Sequence, residues 1–200
     1  MTTLAVRARE QAIERRFTGL AQAAGRDVGA AAREIASDTV AERIGGRLSD
    51  EQAHALEVIT GPERGAILVG PAGTGKGVVI DAAARTEQLT GHQTLGVAVS
   101  WSTAERLGRD SPALSQQVFS VDALVSRVEH GQVNLDADTT IYFDEAGMGD
   151  TSRLDRLTEI VERTGAKLVA IGGELGELET QVPGVHYGIR QGDRVAMIEQ

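Results

Sequence analysis

The spacing of apolar residues divides the chain near residue 62. Before that point apolar residues recur every three or four positions, as in amphipathic helices. After it, short continuous apolar runs alternate with amphipathic segments, and such a run is typical of a strand buried on both faces. The pattern predicts helices over 2–24, about 28–44, 49–61, 76–87, 102–107, 121–128 and 152–164, and strands over 66–69, 94–99, 140–143 and 168–171. Strands alternating in this way with helices indicate an α/β fold, a parallel sheet flanked by helices.

Local signals give the predicted boundaries. Ser49 and Gln52 have the spacing of a capping box, in which each side chain bonds the other residue's backbone N–H at a helix start. We predict an N-terminal helical segment over 1–47 and an α/β domain over 48–200. The helical segment is either a linker from a preceding domain or a lid over the sheet. The glycine-rich tail after Gly172 leaves a last strand and helix unplaced.

Composition limits the classes of protein and site. The 200 residues are enough for one domain, and they include no cysteine, which excludes disulfides, thiol nucleophiles and cysteine-based metal sites. The sequence has no apolar run long enough to span a membrane and no secretory signal, so we expect a cytoplasmic protein. A net charge of −9 argues against non-specific coating of nucleic acid, but it allows a narrow basic groove.

A glycine-rich loop lies between the first predicted strand and the next helix. Its residues are Gly70, Pro71, Ala72, Gly73, Thr74, Gly75 and Lys76. This context is typical of a phosphate-binding loop, in which backbone N–H groups surround phosphate oxygens and the lysine reaches the β- and γ-phosphates. Arginine supplies all the other cationic side chains except Lys167. In a chain with so few lysines, a lysine at 76 indicates a site that needs a compact, flexible ammonium. The alternative is an ordinary turn with a solvated lysine.

Position 77 departs from this pattern. A serine or threonine normally follows the lysine, because its hydroxyl binds the Mg²⁺ that bridges the nucleotide phosphates. This chain has Gly77. Since the phosphate contacts come from the backbone, we expect ATP binding to be retained better than hydrolysis. We also expect Gly77→Thr to strengthen magnesium-dependent binding.

Two carboxylates, Asp144 and Glu145, follow the predicted strand over 140–143. In P-loop enzymes an aspartate at this position holds Mg²⁺, and a neighbouring glutamate orients or deprotonates the attacking water. We therefore predict Lys76, Asp144 and Glu145 as catalytic residues, Asp144 as the metal ligand, and ATP and Mg²⁺ as cofactors. Without the glycine-rich loop, the two carboxylates would be interpreted as an ordinary acidic turn after a strand.

The loop, the sequence at 143–148 and the segment between them resemble the first RecA-like domain of RecD-type superfamily 1 helicases. The resemblance covers roughly residues 48–200 and includes the helicase portion of MobF-type conjugative relaxases. Residues 48–53 are similar to the family's adenine-contacting motif, which implies that Gln52 contacts the base. Residues 97–104 are similar to the motif that contacts single-stranded DNA, which implies contacts from Ser100, Trp101 and Thr103. The alternative interpretation of Trp101 is a half-buried residue that packs against the fold.

The resemblance also has departures. The family senses the γ-phosphate with an aspartate and a glutamine, and here Gly173 and Gly176 stand at those positions. Residues 118–124 match a further motif only loosely. The resemblance implies three partners, namely single-stranded DNA, a second RecA-like domain and a relaxase domain. Since we find no second motor domain or relaxase residues in the sequence, we expect a fragment or a decayed copy.

Three functions remain open at this point. The first is an ATP-binding motor domain of a DNA translocase, with hydrolysis impaired in this chain alone. The second is a degenerate nucleotide-binding module with a structural or partner-docking role, which the substitutions at positions 77, 173 and 176 favour. The third, a small P-loop kinase, is weaker because the segment 144–148 is not a kinase feature.

Overall fold

The computed structural model describes residues 3–71, 73–144 and 151–173, with side chains from residue 6 onward. Within them lie seven α-helices and five strands. The helices are α1 (Thr3–Gln22), α2 (Ala30–Ile44), α3 (Asp50–Ile59), α4 (Lys76–Leu89), α5 (Trp101–Asp110), α6 (Val121–Glu129) and α7 (Thr151–Thr164). The strands are β1 (Gly65–Val69), β2 (Gln93–Ala98), β3 (Val118–Ser120), β4 (Thr139–Asp144) and β5 (Lys167–Gly172).

All five strands are parallel and form one sheet in the order β1-β5-β4-β2-β3. The predicted α/β fold is therefore confirmed. The last strand in the chain, β5, lies between β1 and β4, with Val69 opposite Gly172 on one side and Asp144 opposite Ile171 on the other. The strand before the glycine-rich loop and the strand that ends in Asp144 are thus separated by one strand.

Helices cover both faces of the sheet, which explains the continuous apolar runs of the strands. Because successive strand residues point to opposite faces, Leu168 and Ala170 join one core cluster, and Val169 and Ile171 join the other. The first cluster contains Phe17 of α1 and apolar side chains of α6 and α7. The second contains side chains from α2, α3 and α4.

The N-terminal helical segment contributes to both cores. Ile13, Phe17 and Leu20 of α1 are at most 3% exposed and pack on one face, while Val40 of α2 is fully buried on the other. The backbone after α1 is tied to the start of β1, since Arg64 N–H donates to Ala23 O at 3.1 Å. These contacts pack the N-terminal helical segment against the sheet, and its role as a lid or as a linker stays a prediction.

The short strand β3 was not predicted as a strand. It has three residues and lies at the edge of the sheet, paired with β2 from Gly96 to Ala98. Only its middle residue, Phe119, is buried, so the sequence contains no apolar run that would reveal it. Among the described residues, no helix is long and apolar enough to cross a membrane.

Candidate functional site

The carboxyl ends of β1, β5 and β4 bring the predicted site together at one edge of the sheet. Gly70, directly after β1, donates its N–H to the carbonyl of Gly172 at the end of β5 at 3.0 Å. Asp144 is the last residue of β4, the next strand along. In parallel α/β sheets this edge is where ligands bind.

The glycine-rich loop has the backbone conformation of an anion-binding turn. Gly73 and Gly75 have φ values of 82° and 83°, which lie in the left-handed region that favours glycine. The helix α4 starts at Lys76, and Gly75 supplies no side-chain cap for its first turn. Val78 N–H donates to Gly75 O at 2.9 Å, and the start of α4, with the positive end of the helix dipole, lies at the loop where a phosphate would bind.

Lys76 folds back over this loop. Its ammonium donates to the carbonyl of Gly70 and, at 2.8 Å, to that of Pro71. Burial lowers the pKa of Lys76; the carboxylate of Asp144 acts in the opposite direction, and the guanidinium of Arg106 lowers it further. The ammonium therefore lies in the field of both side chains, and an arriving phosphate can replace the carbonyls as its acceptors.

Gln52 lies against the loop, as a base-contacting residue would. The predicted capping box is confirmed, because Gln52 Oε1 accepts from Ser49 N–H at 3.0 Å and Ser49 Oγ accepts from Gln52 N–H at 3.2 Å. The other side of the amide faces Gly75, where an added Cβ would collide with Gln52 Nε2. The capping box thus fixes the glutamine beside the loop, and its contact with adenine stays a prediction.

Gly77 is enclosed by the end of α5. A Cβ at this position would lie 2.9 Å from Asp110 Cβ and 3.1 Å from the Asp110 carbonyl oxygen. The next residue, Ser111, donates its hydroxyl to Gly77 O at 3.0 Å. The first turn of α4 therefore packs against α5 so closely that a threonine at 77 would displace its neighbour. The gain in magnesium binding expected for Gly77→Thr is thus opposed by a steric cost.

Asp144 is paired with an arginine from α5. Its Oδ2 lies 3.4 Å from Arg106 Nη2; the aspartate side chain is 15% exposed and the arginine 49%. From the sequence, Arg106 could contact phosphates, but a solvated arginine is the commoner case in an amphipathic helix. Its proximity to Asp144 depends on how α5 packs across β4, which one-dimensional spacing does not show.

The donor set for Mg²⁺ can be tested on these residues. A P-loop site offers the ion a hydroxyl after the lysine and a carboxylate at the end of the facing strand. Here the first is replaced by Gly77, and Asp144 has a guanidinium beside it. The described donors therefore do not fit the family's direct magnesium site, and the predicted role of Asp144 as metal ligand stays untested.

The residues predicted to contact DNA lie at the start of α5. Ser100 caps the helix, accepting from Thr103 N–H at 3.2 Å and lying 2.9 Å from the Thr103 hydroxyl. Trp101 is 55% exposed, which favours a surface-contact role over the packing alternative. It lines a groove that also contains Arg109 and Phe119, and Arg127 stacks over the Phe119 ring at 5.0 Å.

Some predicted residues lie outside the described residues. They are Ala72 of the loop, the predicted catalytic Glu145, and Gly176 of the altered sensor stretch. Gly173 is described, and among the described atoms a Cβ there would meet Gly70 O, at 3.9 Å. These described neighbours would therefore accept the family's aspartate at 173, whereas those of Gly77 resist a side chain.

Comparisons with known proteins agree with this geometry. A family model described as an AAA domain matches residues 47–188. The conjugal transfer protein TraA of Agrobacterium fabrum is 36% identical over 127 residues, which cover 64% of this chain and 11% of TraA. A probable conjugal transfer protein TraA of Sinorhizobium fredii is 35% identical over 126 residues, or 63% of this chain and 11% of that protein. The chain thus spans a small part of the length of these relatives.

Solved structures share the fold. A Saccharomyces cerevisiae Dbp5 variant bound to Nup159, Gle1, IP6 and ADP has a TM-score of 0.60 at 14% identity, covering 79% of this chain and 52% of that one. The Hef helicase domain of Pyrococcus furiosus has a TM-score of 0.51 at 14% identity, covering 76% of this chain and 39% of that one. The resemblance to the RecA-like domain of relaxase helicases is confirmed by these matches together with TraA, and the chain belongs to the AAA domain family of P-loop NTPases.

Proposed function

We propose that this chain is the ATP-binding part of a DNA motor, with hydrolysis impaired in the chain alone. The observation that supports this most is the position of Lys76 over the carbonyls of Gly70 and Pro71, in the field of Asp144. A triphosphate bound to the loop would meet backbone N–H groups, the start of α4 and this ammonium together. Gln52 would contact the base from beside Gly75.

Impaired hydrolysis follows from what surrounds the loop. Gly77 provides no hydroxyl for Mg²⁺, and Gly173 provides no carboxylate toward the γ-phosphate. Hydrolysis depends on charge stabilisation at the γ-phosphate, whereas binding relies mainly on the backbone cradle. Loss of these side chains therefore reduces turnover more than affinity. Glu145, the predicted base, remains part of this proposal; the predicted Mg²⁺ at Asp144 does not, because the described donors do not fit it.

A partner-docking module is the second candidate. The observation that favours it is the packing of Asp110 against Gly77, since this contact leaves little room for a side chain where other P-loop sites carry the magnesium-binding hydroxyl. Under this function the chain would bind nucleotide without turnover and without a single-stranded DNA site. DNA binding by the α5 surface thus separates the two candidates.

The experiment for the ATP site is a titration with a fluorescent ATP analogue. We expect Lys76→Ala to weaken binding by about 100-fold, since a charge-assisted contact to phosphate contributes up to roughly 3 kcal/mol. Arg163→Ala is the matched control, because this substitution removes the same charge from an exposed position in the last turn of α7. Equal affinity of Lys76→Ala and the control would contradict the proposed site. A wild-type ATPase rate of about 1 per second, well above the rate of Lys76→Ala, would contradict impaired hydrolysis.

A further inference from the structure

We propose that the guanidinium of Arg106 supplies, beside Asp144, positive charge that Mg²⁺ supplies in other P-loop sites, so that this chain binds a nucleoside triphosphate with little dependence on Mg²⁺. The inference rests on the proposed ATP site. It adds a residue from α5 to that site and changes the ionic requirement for binding.

The first support is the loss of a metal ligand at position 77 together with the loss of its space. Asp110 Cβ lies 2.9 Å from where a Cβ of residue 77 would stand. Mg²⁺ requires near-octahedral oxygen coordination and is bound in such sites by one or two protein oxygens plus phosphates and water. With the hydroxyl position closed, Asp144 is the remaining described side chain of that set.

The second support is the position of Arg106. Its Nη2 lies 3.4 Å from Asp144 Oδ2, at the carboxyl edge of the sheet where the nucleotide phosphates would bind. Arg106 and Asp144 both act on the pKa of Lys76, in opposite directions, so the three charges belong to one electrostatic cluster. A cation therefore already lies next to the carboxylate that would attract the metal.

The third support is the exposure and chemistry of the Arg106 side chain. It is 49% exposed, so an arriving ligand can reach it. A guanidinium is always charged, is weakly hydrated and matches phosphate oxygens with two parallel N–H donors. Arg106 is therefore suited to contact a triphosphate that binds beside Asp144.

The test is a titration of the intact chain with a fluorescent ATP analogue, once with excess Mg²⁺ and once with EDTA. For the wild type we expect the two dissociation constants to agree within about threefold. We expect Arg106→Gln to weaken binding in EDTA by about tenfold or more, and Arg106→Lys, which keeps the charge but not the two-pronged geometry, to weaken it less. Arg163→Gln, the charge-matched control on α7, should bind like the wild type in both buffers.

Three results would overturn the inference. One is a loss of about tenfold or more in wild-type affinity on adding EDTA, and another is equal binding in EDTA by Arg106→Gln and Arg163→Gln. Either result, with Lys76-dependent binding intact in Mg²⁺, leaves the ATP site standing and removes only the role of Arg106. The third is the absence of wild-type binding in both buffers, which overturns the proposed ATP site as well. Thermal unfolding of each variant shows whether a loss of binding reflects a loss of fold.

Discussion

The two lysines of the chain are both held by backbone carbonyls, but at opposite edges of the sheet. Lys76 lies over the phosphate loop, and Lys167 begins β5 at the amino edge. Lys167 is 3% exposed and donates to the carbonyl of Gly61 at 2.5 Å. Burial lowers its pKa to about 8; Glu87 raises it, and Arg26 lowers it. The residue type alone did not distinguish these two environments.

Lys167 makes folding stability depend on pH. Its pKa is about 8 in the folded protein against 10.5 ordinarily, so between these values the unfolded chain binds more protons. The cost of burying the ammonium is fully present below pH 8 and is relieved as the pH rises. We expect the free energy of unfolding to increase by on the order of 1–2 kcal/mol between pH 7.5 and 9.5. Urea unfolding of the wild type at several pH values measures this increase.

The Lys167→Met variant is the comparison for that experiment. Methionine has a similar length and no charge, so the increase with pH should be smaller than in the wild type, with the remainder coming from Lys76, whose pKa is also lowered. The stability at pH 7.5 should be higher than in the wild type. The range stops at pH 9.5 because of Tyr142, whose pKa burial raises well above its ordinary value. At higher pH the unfolded chain loses this phenol proton before the folded protein does, which lowers the free energy of unfolding. Parallel pH curves for the wild type and Lys167→Met would show that Lys167 does not cause the effect.

At the scale of elements, periodicity predicted what depends on local spacing and missed what depends on contact between elements. The helices and four of the strands follow from apolar spacing, and the capping box at Ser49 is a local signal that the structure confirms. The loop and Asp144 could be placed at one edge because parallel strands end together. Neither the ion pair of Arg106 nor the packing of Asp110 on Gly77 could be predicted, since both depend on how α5 packs against α4 and β4.

The contact between α4 and α5 predicts opposite effects for one substitution at two helical glycines. Glycine to alanine in a helix normally stabilises by about 0.5–1 kcal/mol. Among the described residues, no atom lies within 4 Å of a Cβ added at Gly19 in α1, so Gly19→Ala should give this gain. At Gly77 the added Cβ meets Asp110 at 2.9 Å, so Gly77→Ala should instead destabilise by about 1–3 kcal/mol. Urea midpoints of the two variants measure the difference. A gain in stability at both positions would show that the end of α5 shifts to accommodate the added Cβ at little cost.

At the scale of the whole molecule, one sheet edge connects the nucleotide site with the surface predicted to bind DNA. The phosphate loop lies at one end of α4, and α5 carries both Arg106, beside Asp144, and Trp101 at its exposed start. A rotation of α5 on nucleotide binding would therefore move Trp101 as well. Under the proposed motor function, this movement would couple ATP binding to the affinity for a single strand.

The DNA surface can be tested with the intact chain and a fluorescent oligothymidine of about 12 nucleotides. Trp101 lines a groove of about 640 Å³ with Arg109 and Phe119, which suits stacking of a base beside a cation. Because stacking contributes about 1–3 kcal/mol per base, Trp101→Ala should weaken binding at low salt by about tenfold.

Leu89→Ala is the control, since Leu89 is 54% exposed at the end of α4. With a net charge of −9, the chain should bind weakly and lose affinity as salt rises. Binding unchanged by Trp101→Ala, or no binding at low salt, would leave nucleotide binding without a DNA role and favour the docking module.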